Sequence, residues 1–505
     1  MTDRVLDQPS RADHALGRTP LSGAVTQLLE RDGPVLVPIA AWVAVLALLM
    51  PLILVQDTWL SLVDGRLVAA SWLPHEDTLT AWTLGRHWID QQWAAQLAFF
   101  ELARVTGVRG VVALGIGCVA LTLVLVAAAG RTLGGTPRSV AFALVLPMLA
   151  TPWLAQVRAQ SFALVLFVAV YWLLARDARD SGLHVLWVVP LLVVWANLHG
   201  SVALGATLAS LYGLGLCRRR ERRRAGLALA VASPLTLVAS PYGLGLVGYY
   251  RLMLFHPPLA SFVREWKPPA IGVATALFFA TAFAFSAIWG AHRRELTGFE
   301  RWALPLLLVV ALGAVRNTTW FVLAACIATP RLLDAAWPTR VSVTPSLLRL
   351  NRAIGSGAVV TALLVCAIQL ARPPARLEPG ASAKDAAAIA RAAGAHGIVL
   401  ADDEHADWLL WHEPSLAGRI AYDVRFELFS APELRQIQLL RQGSHPIWRT
   451  CGASARVVTF DGPGDERSAL REGVLSPRAR TIVRSATLVA VEQPRTDAVC
   501  RLGSS

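Results

Sequence analysis

Charge is scarce in this sequence. Acidic and basic residues make up 16% of its 505 residues, against about 25% in a typical soluble domain. With 55% hydrophobic residues and a mean hydropathy of +0.50, the chain has too little polar surface to cover a water-soluble body of its length. A purely soluble enzyme is excluded. Lysine is almost missing, Lys267 and Lys384 standing among many arginines, a bias that points to a GC-rich bacterium. Residues 1–34 are polar and mixed in charge, without the short apolar core and small-residue cleavage site of a secretory leader. The six cysteines show no zinc spacing. The net charge of +13 comes with no recognition motif for nucleic acid, which is set aside as a partner. No internal repeat is visible among the hydrophobic segments, whereas many transporters carry one.

Long apolar runs are what the chain has in abundance. A spanning helix takes about 20 mainly apolar residues. The sequence offers about eleven such spans, near 35–55, 108–130, 139–155, 159–175, 183–198, 200–217, 225–240, 270–291, 302–315, 317–333 and 354–371. The arginines between them are ordered. With the N-terminus in the cytoplasm, alternate loops carry Arg131 and Arg138, then Arg176 and Arg179, then the basic run 218–224. Arg293, Arg294 and Arg301 follow, and finally Arg331, Arg340, Arg349 and Arg352. The opposite loops are richer in acids and aromatics, which is the positive-inside pattern.

This orientation divides the chain into a cytoplasmic tail (1–34), a transmembrane domain (35–371) and an external domain (372–505). Two long loops, 56–107 and 241–269, join the external side. The last domain opens with a Pro-rich linker. It then reads as helix 383–393, strand 397–401, helical turn 405–412, strand 419–422, helix 432–441, and strands at 455–460 and 481–492. The expected class is an α-helical polytopic membrane protein with a small C-terminal α/β soluble domain, in a bacterial plasma membrane. Cys451 and Cys500 both fall in the external domain, where oxidising conditions allow a disulfide. The other four cysteines lie in or at the ends of spans and suit packing.

Candidate chemistry collects on the external side. Asp57 directly follows the first span, and a carboxylate at that boundary tends to have a raised pKa or to pair with a cation or metal. His75, Glu76 and Asp77 follow in the same loop, and the two acids form a second acidic element. Together the carboxylates could supply a general base and a substrate or divalent-metal ligand. Two roles fit Asp57: this one, or capping an interfacial helix within an aromatic belt of Trp59, Trp72, Trp82, Trp88 and Trp93. His75, together with Arg158, Gln160, Asn197, His199, Glu265 and Arg316, stands at an external end of a span or in an external loop. Each suits either substrate or phosphate binding, or pairing that holds a bundle together.

The arrangement resembles the polytopic GT-C glycosyltransferases, in the bacterial group related to the RgtA/B/C/D-like and dolichyl-phosphate-mannose mannosyltransferases. The resemblance is carried by Asp57-Thr-Trp-Leu, Gly65-Arg, Leu73-Pro-His-Glu-Asp with Thr80 and Trp82, and Trp88 and Trp93. Further matches are Arg158-Ala-Gln-Ser-Phe, Trp195-Ala-Asn-Leu-His-Gly, Asp407-Trp-Leu-Leu-Trp and Ile420-Ala-Tyr-Asp-Val-Arg-Phe-Glu-Leu. It implies a polyprenyl-phosphate-linked sugar donor in the bilayer and an external glycan, lipid or protein acceptor. Asp57 carries over as catalytic base or metal ligand, with Glu76 and Asp77 behind it. The chain departs from the tight acidic pair of many members, because Thr58 follows Asp57. A transporter or flippase of a lipid-linked molecule, and a non-catalytic envelope-assembly protein, are the competing readings. Alkaline phosphatase fused within 56–107 or after 371 is expected to be active, and fused after the 218–224 run inactive; the reverse pattern overturns the orientation.

Overall fold

A computed structural model describes residues 20–255, 262–338, 344–471 and 473–496, with Cys500 and Leu502. Most of the N-terminal tail (1–19) and Arg340 of the charge pattern lie outside the described residues. Every one of the apolar runs forms helix. Five segments are long and apolar enough to cross a membrane: Thr26–Leu48, Val108–Thr132, Gln160–Arg179, Val315–Ala336 and Pro345–Ala371. Others are shorter or broken. The 139–155 run splits into Pro137–Ala143 and Leu146–Ala150, with Pro147 near the start of the second piece. The 183–198 run enters as a 3₁₀ turn, Leu183–Trp187, and continues as Val188–Ala196. Proline lacks the N–H that an unbroken helix needs, and it favours such restarts.

The outermost helix reveals the solvent. Pro345–Ala371 leaves Leu350, Ile354, Val360, Leu363, Leu364 and Ile368 exposed, a stripe that water would penalise and lipid accepts. This is a membrane protein. The same helix lies against Pro20–Leu48 at near backbone contact. A Cβ on Gly33 would stand 2.1 Å from the Asn351 carbonyl oxygen, and one on Gly355 2.8 Å from the Gly33 Cα. Small residues allow helices in lipid this approach, where dispersion replaces the hydrophobic effect. At the centre, Thr318–Ala336 is buried along most of its length. Two arginines expected as topology signals are also paired inside the bundle: Arg331 with Glu300, and Arg222 with Asp177 at 2.8 Å.

The tail folds around a four-stranded sheet in the order β1-β2-β4-β3. Its strands are β1 (Val399–Leu400), β2 (Val457–Asp461), β3 (Arg480–Arg484) and β4 (Leu488–Glu492). β1 runs parallel to β2, and the other pairings are antiparallel. The 481–492 strand is thus a hairpin: Ser485 turns the chain, its hydroxyl accepting from the Leu488 N–H at 2.9 Å. Residues 419–422 form no strand of their own. Ile420 makes one bridge to Val399 and another to Thr80, so neither ladder extends. Helices Ala383–Ala393, Ala406–His412 and Ala431–Arg441 occupy the expected stretches.

The Thr80 bridge matters because it comes from the first loop. That loop holds the helices Gln56–Ser71 and Trp93–Thr106, and its middle is stitched to the tail. The Ala81 and Trp82 N–H groups donate to the carbonyls of Ile420 (2.7 Å) and Ala421 (3.1 Å), and the Gly418 N–H donates to that of Leu79 (2.8 Å). Side chains complete the seam. Arg425, 2% exposed, reaches Asp77 at 2.7 Å and Asp423 at 2.6 Å, with its guanidinium 4.5 Å from the centre of the Trp88 ring. Arg86 pairs with Glu433 at 2.6 Å, and Arg66 donates to the carbonyls of Leu410 and Trp411. Loop and tail are one body.

Burial pushes other acids in this seam toward the protonated form. Asp64, Asp90 and Asp407 are buried, and each keeps at least one carboxyl oxygen without a partner. Burial pushes the Asp90 carboxyl from 3.8 up to about 7, although Gln92 and Arg425 act the other way. Burial likewise holds Asp64 and Asp407 well above the usual range. A group raised in this way favours the fold at low pH, and that contribution fades as pH climbs from about 4 through about 7. Replacing Asp90 with Asn is therefore expected to flatten the decline of thermal stability across that interval, read from melting curves in detergent. Removing Arg425 acts differently. Arg425→Leu leaves Asp77 and Asp423 as uncompensated buried charges and is expected to cost about 3–5 kcal/mol, seen as a lower melting temperature and faster proteolysis of the tail.

Candidate active site

Four chain segments build the site, each held by backbone bonds. After the short helix Met50–Ile53 the chain becomes extended, and Leu54 bridges to Val157, whose N–H donates to the Ile53 carbonyl at 2.9 Å. The Thr58 hydroxyl donates to the Val157 carbonyl and accepts from the Val55 N–H. This double tie sets the first turn of Gln56–Ser71 beside the turn that precedes Gln160–Arg179. Arg158 is 8% exposed there. Its Nη1 lies 3.4 Å from Asp57 Oδ2 and 3.2 Å from Glu265 Oε2. Glu265 sits on the 3₁₀ turn Arg264–Trp266. The Val315 N–H donates to the Lys267 carbonyl at 2.9 Å, which brings Arg316 over the Trp266 ring at 4.3 Å.

The electrostatics follow from this packing. Burial alone would push the Glu265 carboxyl up, but Arg158, then Arg316, outweigh it and hold it below the ordinary range. Glu265 stays ionised at any physiological pH. The Asp57 and Glu265 side chains remain 43% and 33% exposed while the arginine between them is closed off. His199 turns between the helices Val188–Ala196 and Val202–Leu216. Burial, with Arg316 and Arg158 nearby, keeps it neutral. Its Nδ1 accepts from the Ser201 N–H at 3.1 Å, so the ring proton belongs on Nε2. Gln160 is buried at the start of its helix with Oε1 lacking a partner. Two carboxylates, two guanidiniums and a neutral imidazole thus meet at the ends of apolar helices. Such a set can accept a proton and neutralise a phosphate.

Other sequence candidates lie elsewhere. Asp77, one half of the expected second acidic element, is fully buried. Its carboxylate accepts from the Leu79 N–H, the Thr80 and Thr83 hydroxyls and Arg425. Every lone pair is used, so it is a structural anchor. Glu76 is exposed and bridges through its backbone to His87. The second carboxylate beside Asp57 is Glu265. His75 is exposed and sets its ring edge-on to Tyr242. Asn197 is a brace: Nδ2 donates to the carbonyls of Val193 and Ala239, and Oδ1 accepts from the Trp93 indole at 3.1 Å. Cys451 and Cys500 are joined by a disulfide.

The residues do not fit a divalent ion. Among the described residues no group of three or more His, Cys, Asp or Glu converges, and the space between Asp57 and Glu265 is taken by the Arg158 cation. Thr58, where many members of the resembled family carry a second acid, is itself fully buried and bonded to the Val157 backbone.

No protein-family model and no curated protein sequence matches the chain. Solved structures do. The oligosaccharyltransferase of Archaeoglobus fulgidus, tethered to an acceptor peptide containing the NVT sequon, superposes with a TM-score of 0.50 at 10% identity, over 84% of this chain and 68% of that one. The chain has the GT-C fold. ArnT from Cupriavidus metallidurans bound to undecaprenyl phosphate matches at a TM-score of 0.49 and 13% identity, over 92% of this chain and 98% of that one.

Within this GT-C frame Thr58 fixes the distance between Asp57 and Arg158. Thr58→Val removes one buried hydroxyl bond and is expected to lower stability by about 1 kcal/mol while loosening the ion pair. A melting curve of the purified variant checks the first effect, and salt sensitivity of any activity the second.

Proposed function

We propose that the protein is a membrane glycosyltransferase that moves a sugar from a polyprenyl-phosphate-linked donor to an acceptor on the external face of a bacterial plasma membrane. One observation carries this reading: an accessible carboxylate, Asp57, shares a buried arginine with a second carboxylate at the ends of the apolar helices, with Arg316 alongside. The GT-C fold supports it. In this orientation the N-terminus is cytoplasmic, and the first loop and tail are external.

The chemistry follows from the charges. An acceptor hydroxyl attacks the anomeric carbon, the bond from that carbon to the phosphate oxygen breaks, and the hydroxyl proton passes to Asp57. The polyprenyl phosphate leaves with one more negative charge than it held as a glycosyl ester. Arg158 and Arg316 stand ready to stabilise that charge before and as it develops. Glu265, already ionised, keeps Arg158 aimed toward Asp57 when no phosphate is present. The apolar flanks of the site admit the polyprenyl chain from the bilayer, while the hydroxyl acceptor enters from the loop and tail side.

Purified protein supplied with polyprenyl-phosphate-linked sugars provides the test. Asp57→Asn is expected to lower turnover by about 10²- to 10⁴-fold, the usual worth of a general base. Arg158→Gln is expected to lower it by about 10²- to 10³-fold through lost charge stabilisation. Unchanged turnover in Asp57→Asn rules the assignment out.

A further inference from the structure

The tail contains a cavity of about 460 Å³ that the transfer step above does not use. β1 and β2 are parallel, so both bring their carboxyl ends to one edge of the sheet, the edge where α/β folds bind ligands. Asp402 and Asp403 follow β1 on the cavity wall; Asp461 ends β2, and Asp465 lies in the first turn of the next helix, Gly462–Arg471. Aromatic rings complete the lining. Trp448 is among them, 6% exposed, with its indole N–H buried and unpartnered. The wall also includes Gln56, the residue immediately before Asp57.

The groups here differ in how fully they are committed. The Asp402 carboxylate accepts from the Thr459 hydroxyl and faces the His405 ring at 2.7 Å. Asp403 pairs with Arg441 at 2.6 Å. Among the described residues no cation pairs with Asp461 or Asp465, and both are exposed at the cavity rim. The excess of carboxylates repels phosphate or a uronate. Carboxylate oxygens accept from hydroxyls, and aromatic faces cover the C–H face of a pyranose.

We propose that this cavity binds a saccharide without an anionic group, the hydroxyl-bearing end of the acceptor, and presents it toward Asp57 past Gln56. The inference rests on the transferase reading and names its acceptor class. Gln56 stands on the wall of a cavity otherwise lined by the tail, so an acceptor seated in it lies beside the first turn of the helix that carries Asp57.

Saturation-transfer NMR on the full chain in nanodiscs tests it, with methyl glycosides of a neutral hexose, a neutral pentose, glucosamine and glucuronic acid as probes. Neutral or amino glycosides are expected to bind and the glucuronide not. The double variant Asp461→Asn, Asp465→Asn, exposed positions that leave the fold intact, is expected to weaken binding on the order of tenfold, the worth of one charge-assisted hydrogen bond. Asp57→Asn is expected to leave binding as it was. No binding by any neutral or amino glycoside, equal binding of the glucuronide, or an unaffected double variant overturns the proposal. Sugar binding without loss of transfer in Asp57→Asn instead overturns the reading of the catalytic centre and leaves the cavity standing.

Discussion

A single buried guanidinium, that of Arg425, is what makes the first loop and the tail of this protein one object. It lies among more carboxyl groups than it can neutralise, with Asp77 and Asp423 in direct contact and the Trp88 face against it. Asp77 comes from the first loop, and Asp423 and Arg425 come from the tail. An ion pair this deep is costly to form and far more costly to break, because either partner left alone would be a bare charge in a dry interior. The backbone bonds between 79–82 and 418–421 are shielded by the same packing. Neighbouring acids that do not pair with the arginine have their carboxyls pushed up by burial.

The membrane-boundary cluster inherits its rigidity from this seam. The helix that begins at Gln56 is tied at its first turn to Val157 and further along, through Arg66, to the tail, so neither end drifts without disturbing a bond. The second carboxylate of the cluster is not a sequence neighbour of Asp57. Glu265 arrives from more than two hundred residues away, and Arg158 between them is held in place by two opposite charges. That arginine is closed off from solvent while both of its carboxylate partners stay partly open.

Most of the candidate cluster was legible because ionisable residues at the ends of apolar segments are rare, and Asp57, Arg158, His199, Glu265 and Arg316 each stood out on that ground. Asp77 stood out for the same reason, and the structure ties its carboxylate to Arg425. Nothing local distinguishes an acid destined for Arg425 from one left open to substrate, since that difference depends on a partner nearly three hundred and fifty residues away. The bracing parts were silent too. Thr58 reads as an ordinary hydroxyl until the Val157 carbonyl is beside it, and Asn197 reads as a polar span end until Trp93 donates to it. A signal for the seam lay in Asp423-Val-Arg425, an acid and a base two residues apart.

By itself the sequence determined the membrane class, the positions of the helical runs and the alternation of helix and strand in the tail. Each depends on neighbours within a turn or two: apolar length decides a span, periodicity and β-branched residues decide a strand. Tertiary structure alone decided that the first loop and the tail are a single body, that the 481–492 segment is a hairpin, and which carboxylates are anchors. Those outcomes are set by burial and long-range pairing. The energy of a charge depends on what surrounds it in space, and spacing along the chain does not record that.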